Sequence, residues 1–213
     1  MRVLLAIILL LVPVVTAQGQ EACVNGVGVF NDPDPAPGTW FDQAYVTAVP
    51  GVMHLYVVLF NAYNEHTEQP VPLLAGYEFH VDYPASFLYV GGTYCQGVII
   101  QDGMPDVSVM CEVPVTGDHV VLATLDFFFD GSADAEIFLQ PLSAGAAIPG
   151  FMSIVDAAGG TSSRAYAISG GNDQPVFVVN GGTPPAATGQ GWPNCAPVPA
   201  AARRFGGIKA LYR

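Results

Sequence analysis

The side chains able to do chemistry in this chain are few and scattered. His54 and His80 sit on expected strands, His119 opens another, and His66 sits in the polar run "NEHTEQ". Glu65, His66 and Glu68 are close enough for one loop to offer a metal three ligands. A polar loop of this length is ordinarily just solvated. Serine hydrolases and zinc peptidases announce themselves by G-x-S-x-G or H-E-x-x-H, and neither pattern occurs. Glycoside hydrolysis needs two carboxylates facing each other across a cleft. Among eighteen acidic residues, no such pair is marked out.

Calcium suits these residues better than a transition metal, because it takes hard oxygen ligands from loop carboxylates and carbonyls. "NDPDPAPG" offers Asn31, Asp32 and Asp34, and "DGSADAE" offers Asp130, Asp134 and Glu136. The second run is favoured, since its three carboxylates lie within seven residues. Neither has EF-hand spacing, and Asp and Asn also serve simply to make turns. Trp40 in "PGTWFDQ" and Trp192 in "GQGWPN" would stack on a sugar ring if exposed. Buried, each would plug a core edge instead.

These residues sit in a chain marked for export. Residues 1–17, "MRVLLAIILLLVPVVTA", carry one early cation, an apolar run and a small residue before "QGQE". That is the plan of a secretory signal peptide cleaved after Ala17. "QEAC" argues against lipid attachment at Cys23, and no later stretch has the length of a membrane helix. In an exported chain, four cysteines read as two disulfides. Of the three pairings, Cys95–Cys111 across neighbouring strands and Cys23–Cys195 between the ends are expected.

Charge divides the chain sharply. Residues 18–202 hold all eighteen acids and one base, Arg164, a net −17. So acidic a body excludes nucleic acid as a partner. Four of the six basic residues, Arg203, Arg204, Lys209 and Arg213, fall in the last eleven positions. There Phe205, Ile208, Leu211 and Tyr212 recur at helical spacing, predicting an amphipathic tail over 203–213. Gly206 and Gly207 weaken it, so alone it should be mostly unfolded.

The elements that must position the body's side chains are strands. "MHLYVVLFNA" (53–62) is apolar on both faces, as in a central strand. "YEFHVDY" (77–83) alternates, which points Tyr77, Phe79, Val81 and Tyr83 inward and leaves Glu78, His80 and Asp82 on a wet face. Tyr56 is also assigned to the core. Short runs at 87–90, 97–100, 106–113, 119–129 and 135–140 follow between turn signals. "RAYAIS" and "PVFVVN" flank "GGNDQ" as a hairpin would. The expected fold is all-β: one jelly-roll or immunoglobulin-like sandwich of about ten strands over residues 18–180. A Pro/Gly-rich linker occupies 181–202.

"GVGVFND", "HLYVVLFNA", "LAGYEFHVDYP", "FLYVGG" and "GDHVVLATLDFFF" together resemble the cohesin-like branch of secreted bacterial β-sandwiches, over roughly residues 24–180. That resemblance implies a jelly roll that binds a partner protein, or carbohydrate in some relatives. "FGGIKALYR" resembles tails of the form Trp-Gly-x-Ile-Lys-x-Leu-Tyr-Arg on exported proteins of unassigned activity, with Phe205 in place of Trp. The chain has no dockerin-type calcium repeat. The resulting expectation is a non-catalytic, exported binding or surface-assembly module with a protein or glycan ligand. Phe205, Ile208, Lys209, Leu211, Tyr212 and Arg213 would form a sorting or attachment signal read by export or surface machinery. A secreted polysaccharide hydrolase and a structural coat component are the alternatives.

Overall fold

The computed structural model of the protein describes residues 24–35, 45–46, 48–95, 98–131 and 134–181. Residues 1–17 expected to be a signal peptide, Cys23, Trp40, the expected linker with Trp192 and Cys195, and residues 203–213 lie outside the described residues. The described residues form strands and no helix: β1 (Gly26–Phe30), β2 (Tyr45–Val46), β3 (Gly51–Phe60), β4 (Tyr63–Asn64), β5 (Gln69–Pro70), β6 (Leu73–Asp82), β7 (Phe87–Tyr94), β8 (Val98–Gly103), β9 (Asp106–Pro114), β10 (His119–Phe129), β11 (Ala135–Gln140), β12 (Met152–Asp156), β13 (Thr161–Ala167) and β14 (Phe177–Val179).

They make an all-β sandwich. One layer runs β1–β3–β10–β7, and the other runs β8–β9–β6–β12–β13. β13 lies parallel to β1 over two residue pairs and joins the layers along one side. β11 continues beside β6 past the end of β12, then pairs with β14, which lies parallel to β2. β4 and β5 form a separate two-stranded ribbon.

Alternation in the sequence sets what faces inward. On β10, Leu125, Phe127 and Phe129 are fully buried, while Thr124, Asp126 and Phe128 point outward. A register shift between Val121 and Ala123 marks a bulge, where Leu122 and Ala123 are both buried. Phe127 meets the rings of Tyr83, Phe87 and Tyr89 at 5.0, 5.5 and 5.6 Å. Burying such a ring contributes about 1.5–3 kcal/mol. Across the core, the Tyr77 hydroxyl donates to the Leu122 carbonyl and ties the two layers together. Burial pushes the Tyr77 phenol far above its ordinary pKa, against a weaker opposite pull from the Cys95 backbone. The group stays a donor at every physiological pH.

Cys95 and Cys111 are bonded, with Cα atoms 6.1 Å apart. Their setting differs from the neighbouring strands expected of them. Cys95 follows β7 and Cys111 lies on β9, so the bond links the two layers. The expected hairpin of β13 with β14 does not form. Both sides of β13 are taken, by β12 and by β1, and β14 pairs with β11 instead. Glu78 is also not on a wet face. It is 7% exposed, and its Oε1 accepts from the Ala147 N–H at 2.7 Å, because the chain after β11 folds back over this face.

Candidate functional site

Among the described residues, four of the six large, exposed hydrophobic side chains gather on the outer face of β3, β10 and β7. Strand register places them in rows. Val52, Phe128 and Leu88 stand side by side across the three strands, exposed by 59%, 43% and 66%. The next row holds His54, Asp126 and Gly91, and the one after holds Tyr56, Thr124 and Thr93. A register shift between Asp126 and Phe127 leaves Val90 as an extra residue on β7, 61% exposed. A side chain at Gly91 would meet nothing within 4 Å, so that part of the face is open.

The face therefore grades from apolar to polar along the strands. His54 Nδ1 and Asp126 Oδ1 lie 2.6 Å apart at its centre. Asp126 is the one acid on these three strands, which carry no Lys or Arg. An exposed pair of this kind contributes little to folding, about 0–1 kcal/mol. Chemically the face offers apolar area to bury and one hydrogen-bonded His–Asp pair to orient a partner. Contiguous exposed apolar surface is the usual mark of an interaction site.

A second cluster combines the residue types of a hydrolase, but in a different order. His80 Nδ1 lies 2.8 Å from Asp106 Oδ1, the Ser143 N–H donates to the same oxygen at 3.1 Å, and the Ser143 hydroxyl donates to Oδ2. A serine nucleophile must pass its proton to the histidine, with the carboxylate behind. Here the carboxylate stands between the two, so it fixes both. Burial works to raise the Asp106 pKa, but hydrogen bonds from Ser143 and His80 outweigh it and hold the carboxyl below its ordinary value. The cluster is a clamp that binds the chain after β11 to the start of β9 and to β6.

The loop Glu65–Glu68 spends its groups internally. The Glu65 carboxylate accepts from the Arg164 side chain and backbone at 3.3 Å each, and from the Tyr166 hydroxyl at 3.2 Å. Burial and the Glu65 charge raise the Tyr166 pKa. His66 Nε2 lies 3.1 Å from the Ser162 carbonyl, and Glu68 is exposed. The Arg164 guanidinium covers one face of the Phe151 ring at 5.2 Å.

Of the calcium candidates, Asp130, Asp134 and Glu136 are all exposed, and residues 132–133 between them lie outside the described residues. Asn31 and Asp34 are exposed, and Asp32 is half-buried. Asp32 Oδ1 accepts from the Asp34 N–H at 2.9 Å, the turn-making role of such a residue, and Asp34 Oδ1 is 3.2 Å from His119 Nε2. Among the described residues, no three His, Cys, Asp or Glu side chains are gathered as a metal would require. Cys95–Cys111 is formed. Cys23–Cys195, Trp40, Trp192 and the tail residues Phe205, Ile208, Lys209, Leu211, Tyr212 and Arg213 lie outside the described residues.

Sequence reasoning missed the apolar rows. "LDFFF" reads as core throughout, and only strict alternation along β10 separates outward Phe128 from inward Phe127 and Phe129.

No protein-family model and no curated protein matches this chain. Solved structures similar to it are cohesins. A type II cohesin domain from the cellulosome of Acetivibrio cellulolyticus is 11% identical at a TM-score of 0.43, covering 74% of this chain and 95% of its own. A non-cellulosomal cohesin from the archaeon Archaeoglobus fulgidus is 13% identical at 0.37, covering 57% and 78%. A cohesin module from a family 33 glycoside hydrolase of Clostridium perfringens is 10% identical at 0.38, covering 67% and 90%. No residue role, ligand or partner passes to this chain from likenesses of this degree.

Proposed function

We propose that this chain is a non-catalytic, exported binding and surface-assembly module that receives a protein partner on the outer face of β3, β10 and β7. The observation that carries the reading is the row Val52, Phe128 and Leu88, with Val90 beside it, exposed on an otherwise acidic body. An exposed apolar row with a hydrogen-bonded His–Asp pair beside it suits a protein surface better than a small ligand, which needs a concave, enclosing pocket. The disulfide Cys95–Cys111 supports an oxidising compartment, and with it the signal-peptide reading of residues 1–17. No helix among the described residues is long and apolar enough to cross a membrane.

The test is affinity capture from the envelope and secreted fractions of the producing cell, using the full mature chain. Leu88→Asp with Phe128→Asp should reduce capture of a specific protein at least about tenfold, because central apolar contacts dominate such interfaces. Both positions are exposed, so folding stability should change by only about 0.5 kcal/mol. Equal capture by both proteins would show that the partner binds elsewhere, or that none exists.

The tail is the second half of the proposal: residues 203–213 are an attachment signal, joined to the sandwich by a linker suited to presentation. Deleting 203–213 should leave the melting temperature within about 2 °C and change where the protein accumulates. Unfolding without relocation would instead make the tail structural. The same melts examine an accessory calcium on Asp130, Asp134 and Glu136. An ion bound there would raise the melting temperature more than sodium at equal ionic strength, and identical shifts would mean screening alone.

A further inference from the structure

We infer that the concavity at the end of β13, walled by Phe151 and Tyr166, binds one neutral pyranose ring. Local sequence builds its first wall. "IPGF" (148–151) is a tight turn in which the Phe151 N–H donates to the Ile148 carbonyl at 3.1 Å. Gly150 takes the positive φ, 83°, that the third position of such a turn requires, and Pro149 presets the second. The turn delivers the half-buried Phe151 ring to Tyr166, with centroids 6.0 Å apart and planes at 76°. Both rings are held from behind. The Arg164 guanidinium lies over Phe151 at 5.2 Å, and Glu65 accepts from the Tyr166 hydroxyl at 3.2 Å.

The loop after β13 supplies another wall, through Gly170, Gly171 and Asn172. Two successive turns make this loop. The Gly170 N–H donates to the Ala167 carbonyl at 3.0 Å, with Gly170 at a positive φ of 97°, and the Gln174 N–H donates to the Gly171 carbonyl at 3.2 Å. The fully buried Ser169 hydroxyl donates to the Gln174 carbonyl at 2.9 Å and stitches the turns together. The space is therefore shaped before any ligand arrives, which spares a ligand the cost of ordering it. Its position also separates it from the docking face. β13 lies in the layer of β6 and β12, whereas Val52, Phe128 and Leu88 lie in the other, so the inference does not rest on the partner reading.

Size, lining and charge select the ligand. The volume is about 260 Å³, just below the roughly 300–1,000 Å³ of drug-sized sites and suited to a single ring. Ala165 and Ala167 line it with side chains too small to fill it, and together with the two aromatic rings they offer apolar surface. Polar groups meet this surface at one side. Asn172 is exposed, and its amide both donates and accepts. The Tyr166 hydroxyl gives its proton to Glu65, which leaves its oxygen to accept. A pyranose divides in the same way, with a C–H face that packs on aromatic rings and a hydroxyl edge that pairs with amide and phenol. A wholly apolar side chain would cover the polar groups without pairing them, which is unfavourable. A cation would meet Arg164 already over the Phe151 ring. An anion would find that guanidinium engaged by Glu65 at 3.3 Å, on a body whose acids repel it. A neutral ring meets neither cost.

The experiment is an amide-resolved NMR titration of the full mature chain with the methyl glycosides of glucose, galactose, mannose and N-acetylglucosamine, up to tens of millimolar. At least one should bind with a millimolar Kd, ordinary for so few atoms, and shift the amides of residues 165–167 and 170–172. The uronate and 2-amino forms of the best binder should each bind more weakly. Phe151→Leu and Asn172→Ala should each weaken binding about fivefold, the size of one aromatic contact or one hydrogen bond. Asn172 is exposed, so its variant keeps the melting temperature and covers the case in which Phe151→Leu folds poorly. Tighter binding of an oligosaccharide carrying the same ring would mark a glycan as the source, and equal binding a free sugar; either supports the site. Absence of binding by any of these glycosides would overturn the inference, as would shifts confined to other strands or affinity unchanged in both variants. Preference for a charged form would also overturn it. So would displacement of the sugar by less acetyl-leucine amide, which would assign the space to a peptide side chain.

Discussion

Replacing Cys95 and Cys111 together by alanine should lower stability by about 3 kcal/mol, because the bond closes a loop of the order of 15 residues. The sequence separation is 16, and the link joins the edge strand of one layer to β9 of the other. Its loss should be felt first along β7, which among the described residues pairs with β10. Hydrogen exchange of the protein should therefore show β7 amides opening well before those of β3, which is flanked by β1 and β10. The Tyr77 hydroxyl, bonded to Leu122 and within 3.6 Å of Cys95 Sγ, continues to tie the layers in the variant. Uniform loss of protection across all strands would mean that the bond stabilises the sandwich globally rather than at this edge.

Asp106→Ala comes next in size, at about 2 kcal/mol near neutral pH. Hydrogen bonds to an ionised group contribute about 1.5–3 kcal/mol, and the rim of this carboxylate reaches solvent, which reduces the figure. The substitution leaves the His80 ring nitrogen, the Ser143 hydroxyl and the Ser143 N–H without their shared acceptor. Because the folded carboxyl lies below its ordinary value of 3.8, it stabilises the fold fully above that value. The contribution is lost as pH falls through the depressed folded value. Wild type should thus lose more stability than Asp106→Ala on acidification below about pH 4. Parallel acid profiles for the two proteins would show that the clamp's carboxylate is not held down as described.

Local pattern carried much of this fold. β10 and β11 occupy the runs that turn signals bound, 119–129 and 135–140, because such signals punctuate short strands. β12 was not legible. "MSIVD" is nearly all buried, is only five residues long, and is framed by a loop and a turn rather than by alternation. The pairing of β14 with β11 depends on which strand edges are already taken, information that no window of sequence holds. The buried state of Glu78 similarly depends on Ala147, which is 69 residues away.

The candidate site was less legible than the fold. Val52, Leu88 and Phe128 look like core residues one at a time, and they become a surface row only when register aligns β3, β10 and β7. Some of the polar residues that drew attention are hydrogen-bonded within the fold. Glu65 holds Arg164 and Tyr166, Asp32 closes its own turn, and His54 meets Asp126.

The central claim is that the outer face of β3, β10 and β7 is where a partner protein sits. Side-chain hydroxyl-radical footprinting of the full chain, with and without the captured partner, reads this directly. Oxidation at Val52, Phe128 and Tyr56 should fall at least about tenfold in the complex, as solvent is excluded from a central apolar patch. Met110 on β9, with Arg164 and Tyr166 on β13, should be unchanged. Protection at Met110, Arg164 or Tyr166 with Val52 and Phe128 still oxidised would contradict the account.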